Sequence, residues 1–214
     1  EVIMFSLNPA FDMMPASEDL EDLFGDYENV AGDGIEPTRA RLYARAEEAD
    51  TALTVMKGYA GGRLLSADAS PFGVALTPVQ CIHYALTRPA VASVMVGVET
   101  VEQLEEALAY EGATAAERDY ASVLAGAPKH AYMGQCTYSG HCAPCTVGIN
   151  IALSNKFADL AEMAGEVPAS VAAHYKAMDV TAGACIACGD CEPRCPFDVP
   201  IIERMEKTEA LFGC

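Results

Sequence analysis

The sequence predicts an α/β fold that gives way, toward its end, to a mostly helical, cysteine-rich region. Two observations predict the first part: short apolar runs rich in β-branched residues alternate with helical segments, and several of those segments open on a Thr followed three residues later by Gln or Glu. A third predicts the change: Cys81 apart, every cysteine lies beyond residue 135.

Glu1 to Leu7 opens on Val2, Ile3, Met4 and Phe5, an unbroken apolar run that reads as a buried strand. A chain that starts directly on a strand is expected to be a fragment whose upstream half is absent. Pro37 to Ala49 reads as a helix, and Thr51 to Met56 as a second buried strand, closed by Lys57 and Gly58. Thr77 and Gln80 form a capping box, Pro78 sits where a missing N–H is harmless, and Val79, Ile82, Ala85 and Leu86 recur at helical spacing, so a helix follows from Thr77 to Thr87. Val91 to Val96 is a third strand, ended by Gly97, and Thr100–Gln103 and Thr114–Glu117 carry two further capping boxes. Strands separated by helices pair in parallel.

From Ala125 to Tyr132 the pattern breaks, with Gly126, Pro128 and then Gly134 interrupting it, which predicts two domains, 1–125 and 126–214. The second offers helices near Ile151 to Met163, Pro168 to Met178 and Ile201 to Leu211, between which lie two cysteine loops.

Composition narrows the function. A hydrophobic content of 51% is ample for a core. With 31 acidic against 13 basic side chains the formal charge is −18, which repels phosphate backbones and argues against nucleic acid. That charge serves solubility, or steers a basic redox partner protein. No run of eighteen apolar residues and no leader is visible, so no membrane partner is expected and the expected compartment is the cytoplasm.

Cys185, Cys188, Cys191 and Cys195 are spaced by two, two and three residues, and Pro196 follows, the spacing of the bacterial ferredoxin run. Three cysteines spaced by two wrap three corners of a 4Fe-4S cubane, while the fourth points to a neighbouring cluster. The earlier loop holds Cys136, Cys142 and Cys145, with Ser139 where a cysteine would complete an even series. Crossed ligation then groups Cys185, Cys188, Cys191 and Cys145 at one cluster, and Cys136, Cys142 and Cys195 at another with Ser139 or nothing at the fourth iron. The second set suits a 4Fe-4S or a 3Fe-4S cluster, or none. Zinc fits poorly, since it usually takes thiolates as separated pairs, and disulfides fit less well in a reducing compartment. Cys81 reads as core and Cys214 as a bystander; His141, inside the first loop, donates to a sulfur or carboxylate or is an exposed loop histidine.

Several stretches carry a family resemblance: Ile3-Met-Phe-Ser-Leu-Asn-Pro9-Ala-Phe-Asp12, Thr54-Val-Met-Lys57-Gly-Tyr-Ala-Gly61-Gly62-Arg63-Leu64, Leu76-Thr-Pro-Val-Gln80, and Val94-Met-Val-Gly97 with Glu102-Gln103-Leu104. Together with the cysteine run they resemble the C-terminal half of an aldo/keto reductase of the branch with a ferredoxin-type extension. The resemblance implies the last three strands of a (β/α)8 barrel, followed by a mostly α-helical ferredoxin-like iron–sulfur domain. It implies NAD(P)H near Lys57, Gly61, Gly62, Gly97, Thr100 and Gln103, a small-molecule carbonyl substrate, and no catalytic residue in this chain, because the family's tetrad belongs to the early strands. Ala107 stands where cofactor-binding members often carry Asn, no arginine stands near Thr100, and Ser139 and Thr146 replace the family's Cys and Pro. The expected function is an iron–sulfur oxidoreductase; the alternative is an electron-transfer or structural iron–sulfur protein with a non-catalytic barrel remnant.

Overall fold

A computed structural model describes residues 1–13, 35–127, 134–164 and 167–214. Strands β1 (Val2–Ser6), β2 (Ala52–Met56) and β3 (Val91–Val94) form a parallel sheet in the order β1-β2-β3. Helix α1 (Pro9–Asp12) is a single turn after β1; α2 (Pro37–Glu48) lies between β1 and β2, and α3 (Pro78–Leu86) between β2 and β3. Local chemistry starts both longer helices. The Glu36 carboxylate accepts from the Thr38 and Arg39 amides at 2.8 and 3.1 Å, with Pro37 first in the helix. Thr77 and Gln80 satisfy one another's amides reciprocally, at 3.2 and 2.9 Å.

One face of the sheet is core and the other is not. Leu53 and Val55 of β2 are fully buried with Tyr43 and Ala44 of α2 and Tyr84 and Ala85 of α3. Partners in a parallel pair share a side, so Val2, Met4, Thr54 and Ser93 occupy the opposite face. There Val2 is 70% and Met4 53% exposed, and the Thr54 and Ser93 hydroxyls lie 3.0 Å apart in solvent. The expectation of three buried strands therefore holds for one face of β2 and fails for β1 and β3. An apolar run records that a strand has apolar sides, and the residues that would cover them are set elsewhere in the chain.

Two buried charges tie this sheet to the rest. Asp12 is completely buried and accepts from Tyr43 Oη at 2.5 Å, Tyr84 Oη at 2.7 Å and Arg39 Nε at 3.0 Å. Arg88, just after α3, is equally enclosed, with its guanidinium 4.5 Å from the Tyr84 ring centre and 5.0 Å from that of Tyr138. It donates to the Thr137 carbonyl, so it bonds the sheet side of the fold to the first cysteine loop. The predicted boundary at 125–132 lies partly outside the described residues.

Helix α4 (Val101–Leu108) starts at the predicted Thr100 cap. The third box forms as well, with Glu117 accepting from Thr114 N at 2.7 Å, yet only a turn follows, and α5 (Tyr120–Ala125) takes Asp119 as its own cap. Helices α6 (Ile151–Ala164), α7 (Ala169–Lys176) and α8 (Ile201–Phe212) match the last three expected. Helix α6 packs on both α2 and α8, and Tyr175 of α7 stacks on Phe212 with ring centres 4.0 Å apart. Among the described residues no helix is long and apolar enough to cross a membrane.

Candidate metal centre

The two cysteine loops share one backbone course. Two residues after Cys136 stands Tyr138 at φ 57°, and two after Cys185 stands Ala187 at φ 51°. Four residues after each of these cysteines comes a left-handed glycine, Gly140 at φ 80° and Gly189 at φ 79°, a conformation in which a Cβ is strained. A further left-handed residue follows each loop, Gly148 at φ 86° and Asp198 at φ 50°, and then a helix begins, at Ile151 and at Ile201. In this course Ser139 takes the position of Cys188, and Cys142 that of Cys191.

The loops deliver seven cysteines to two clefts. Cys145, Cys185, Cys188 and Cys191 line the first. Cys136, Cys142 and Cys195 line the second, together with Ser139 and His141. Each loop thus sends its last cysteine to the other's cleft, and Ile201 stands in the wall of both. Arg194 holds the crossing together, donating to the Cys142 and Pro144 carbonyls at 2.8 Å each.

The linings differ. Beside its cysteines the first cleft has Val147, Ile149, Ile202 and Met205, and the Thr146 hydroxyl 3.6 Å from Cys188 Sγ and 3.0 Å from the Asp190 carboxylate. The second carries Asn155, whose amide donates to Cys136 Sγ at 3.5 Å while its oxygen accepts from Arg204 Nε at 3.3 Å. Arg204 is paired with Asp159, which also accepts from Tyr138 Oη at 2.6 Å. His141 is half-buried and bridges two groups: Nε2 lies 3.0 Å from Asp119 Oδ2, and Nδ1 lies 3.1 Å from Ser139 Oγ. Asp119, Asn155, Asp159 and Arg204 were invisible to sequence reasoning, because each meets its loop from 17 or more residues away and without a motif.

Burial pushes the Cys136 thiol up to about 12 and the Cys142 thiol up to about 11, so near neutral pH each keeps its proton until a metal competes for the sulfur. A single zinc ion bound by four thiolates at about 2.3 Å would draw the sulfurs to within about 4 Å of one another. Among the described residues no three His, Cys, Asp or Glu side chains converge in that way. Cys81 is buried in the core, where its thiol is pushed up to about 12, and Cys214 is exposed at the chain's last position.

The residues expected to hold a nicotinamide cofactor gather at one end of the sheet. Lys57, at φ 60°, and Gly61 and Gly62, at φ 67° and 87°, form the turn after β2, and Gly97 and Thr100 follow its neighbour β3. Asn8, after β1, donates to the Lys57 carbonyl at 2.9 Å and so fastens the third strand end to this group. Asn8 is buried, whereas Lys57, Gly61, Gly62, Gly97, Thr100 and Gln103 are exposed, and two of these have local duties: Thr100 Oγ1 accepts from the Gln103 amide at 3.3 Å, and Gln103 Oε1 from the Glu99 amide at 2.7 Å. Together, fold and site define an α/β chain joined to a duplicated cysteine-loop unit. No family model, curated protein or solved structure matches the chain.

Proposed function

We propose that the chain is the iron–sulfur part of an oxidoreductase, in which Cys145, Cys185, Cys188 and Cys191 hold one 4Fe-4S cluster and Cys136, Cys142 and Cys195 hold a second, three-thiolate one. One observation carries this reading: a repeated backbone course brings seven cysteines into two clefts in the crossed sets expected from their spacing. The two, two and three spacing of Cys185, Cys188, Cys191 and Cys195, followed by Pro196, suits a cluster better than zinc, which usually takes thiolates as separated pairs. When bound, such clusters supply one-electron storage and transfer. The protein's share is to space the two sites across Ile201, to exclude water with the apolar walls, and to stabilise added negative charge at Cys136 through the Asn155 amide.

The three parallel strands, their exposed apolar face and the loops gathered at their C-terminal ends support the reading of the first part as the last strands of a (β/α)8 barrel similar to aldo/keto reductases. In such a barrel Lys57, Gly61, Gly62, Gly97, Thr100 and Gln103 would face NAD(P)H and a carbonyl substrate. A specific observation favours the second reading, an electron carrier with a non-catalytic barrel remnant: the start of α4 carries Glu99 and Glu102, whose charges oppose a pyrophosphate, and the Gln103 side chain is spent on capping.

Anaerobic reconstitution followed by iron and sulfide analysis and electron paramagnetic resonance tests the proposal. Iron at the level of two clusters, with signals on reduction by dithionite, supports it; stoichiometric zinc with no inorganic sulfide refutes it. Quenching or enhancement of NADPH fluorescence by the same protein separates the reductase reading from the carrier.

A further inference from the structure

Ser139 and His141 flank Gly140, whose φ of 80° turns the chain so that their side chains meet, with Ser139 Oγ 3.1 Å from His141 Nδ1. The other ring nitrogen, Nε2, lies 3.0 Å from Asp119 Oδ2, and Ser122 Oγ is a more distant neighbour at 3.5 Å. Asp119 divides its oxygens between two tasks, because Oδ1 accepts from the Ser122 amide at 2.8 Å and so caps α5. An ionised carboxylate can only accept, so Nε2 carries the ring's proton and Nδ1 turns its lone pair to the serine hydroxyl. A hydroxyl, an imidazole oriented to take its proton, and a carboxylate behind the imidazole are the groups, in order, that make a serine nucleophilic. All three line one cavity of about 250 Å³ with His83, Arg118 and Tyr120. That lining carries one guanidinium and one carboxylate, and no net charge while its histidines are neutral, which suits an uncharged ligand. Electron transfer, the role proposed for the cysteines nearby, has no use for this arrangement.

We infer that Ser139, His141 and Asp119 form a hydrolytic site for small, uncharged carboxylic esters, with Ser139 and His141 as catalytic residues and Asp119 as the residue that positions the ring. Ser139 Oγ bonds to the acyl carbon as its proton passes to His141 Nδ1; the ester C–O bond then breaks and the alcohol leaves with that proton. Water attacks the acyl-serine, gives a proton to Nδ1, and the acid departs as Ser139 recovers its proton. Ester and water become acid and alcohol, with no change of oxidation state. Arg118 is the cation in the lining that opposes the charge of the developing oxyanion. A cavity of this size admits a short acyl chain and a small alcohol.

The test uses the full chain, before and after iron–sulfur reconstitution, with a fluorophosphonate probe and p-nitrophenyl acetate. The probe is expected to label one serine, identified as Ser139 by mass spectrometry of the digested protein, and the ester to turn over with saturation. Ser139→Ala should abolish both. His141→Gln should lower kcat by about a hundredfold or more. Asp119→Asn, which keeps an N-cap for α5, should lower kcat by about tenfold or more and leave KM unchanged, whereas an Asp119 that serves only the helix would leave kcat at the wild-type value and remove the positioning role. A folded wild-type chain that takes no label at Ser139, or turnover that survives Ser139→Ala, would overturn the inference. So would label that appears before reconstitution and vanishes after it, since iron would then have claimed Ser139 as a ligand. The iron and sulfide counts bear on the clusters alone, so that reading and this one fail separately.

Discussion

If the two clefts hold clusters as proposed, exchanging Asn155 and Met205 should move their potentials in opposite directions. Both residues line a cleft, and the repeat places them alike, four residues after the first residue of α6 and of α8. Asn155 donates to Cys136 Sγ at 3.5 Å, whereas a methionine offers no donor. A donor to a ligand sulfur stabilises the more negative, reduced state, so it raises the potential. If reduction strengthens that bond by about 0.5–1.5 kcal/mol, the range of an ordinary net hydrogen bond, then at about 59 mV per 1.4 kcal/mol for one electron the difference is about 20–60 mV. Asn155→Met should lower the potential of the second centre by that amount, and Met205→Asn should raise that of the first. Arg204 keeps its Asp159 partner in the first variant, so the fold around the site stays tied down. A redox titration followed by paramagnetic resonance reads both centres in one sample. Equal shifts at both centres, or a lowered potential after Met205→Asn, would refute the assignment of Asn155 as the tuning donor.

Cys145→Ala and Cys185→Ala, although distant in sequence, should each halve the bound iron and erase the same signal, while Cys195→Ala erases the other; iron assay and spectroscopy of the three variants check this. Asp12→Ala should destabilise the fold by about 3–5 kcal/mol, measured by urea unfolding, because it strands Arg39 and two tyrosine hydroxyls in the core. His83 titrates below its ordinary 6.5, through burial first and then Arg118 and Arg88. The unfolded chain therefore takes the proton first, so this group's contribution to stability is whole above pH 6.5 and is lost as the pH falls below it; His83→Gln should flatten that part of the stability profile.

What was legible in the sequence was local. The Thr77 and Thr100 caps act within a few residues, and their helices start where these signals stood; the cysteine spacing is equally local, and its seven cysteines line two clefts. Thr114 and Glu117 show the limit: the box forms, but with Asp119 capping a new helix two residues later there is no run for it to start. The sheet's open face was legible only through the expectation of a barrel fragment with absent neighbours, because Val2 and Met4 by themselves look the same covered or bare. Nor were the polar supports, since Tyr84 meets Asp12 across 72 residues, and Arg88 meets Thr137 across 49, through geometry that no spacing announces.

On the two-cluster reading proposed above, the exchange of Cys145 and Cys195 between the loops would make a cluster a cross-link as well as a cofactor. A cluster bound by Cys145 and Cys185 closes a loop of about 40 residues, containing α6 and α7. On the chain-entropy estimate used for disulfides, one such closure removes about 4 kcal/mol of freedom from the unfolded ensemble. The second site, with Cys142 and Cys195, would close an overlapping loop of about 50 residues, so each site draws cysteines from both loops. Oxidative loss of iron would therefore register as softening of everything from α6 to α8, and a protease would detect it as readily as an electrode.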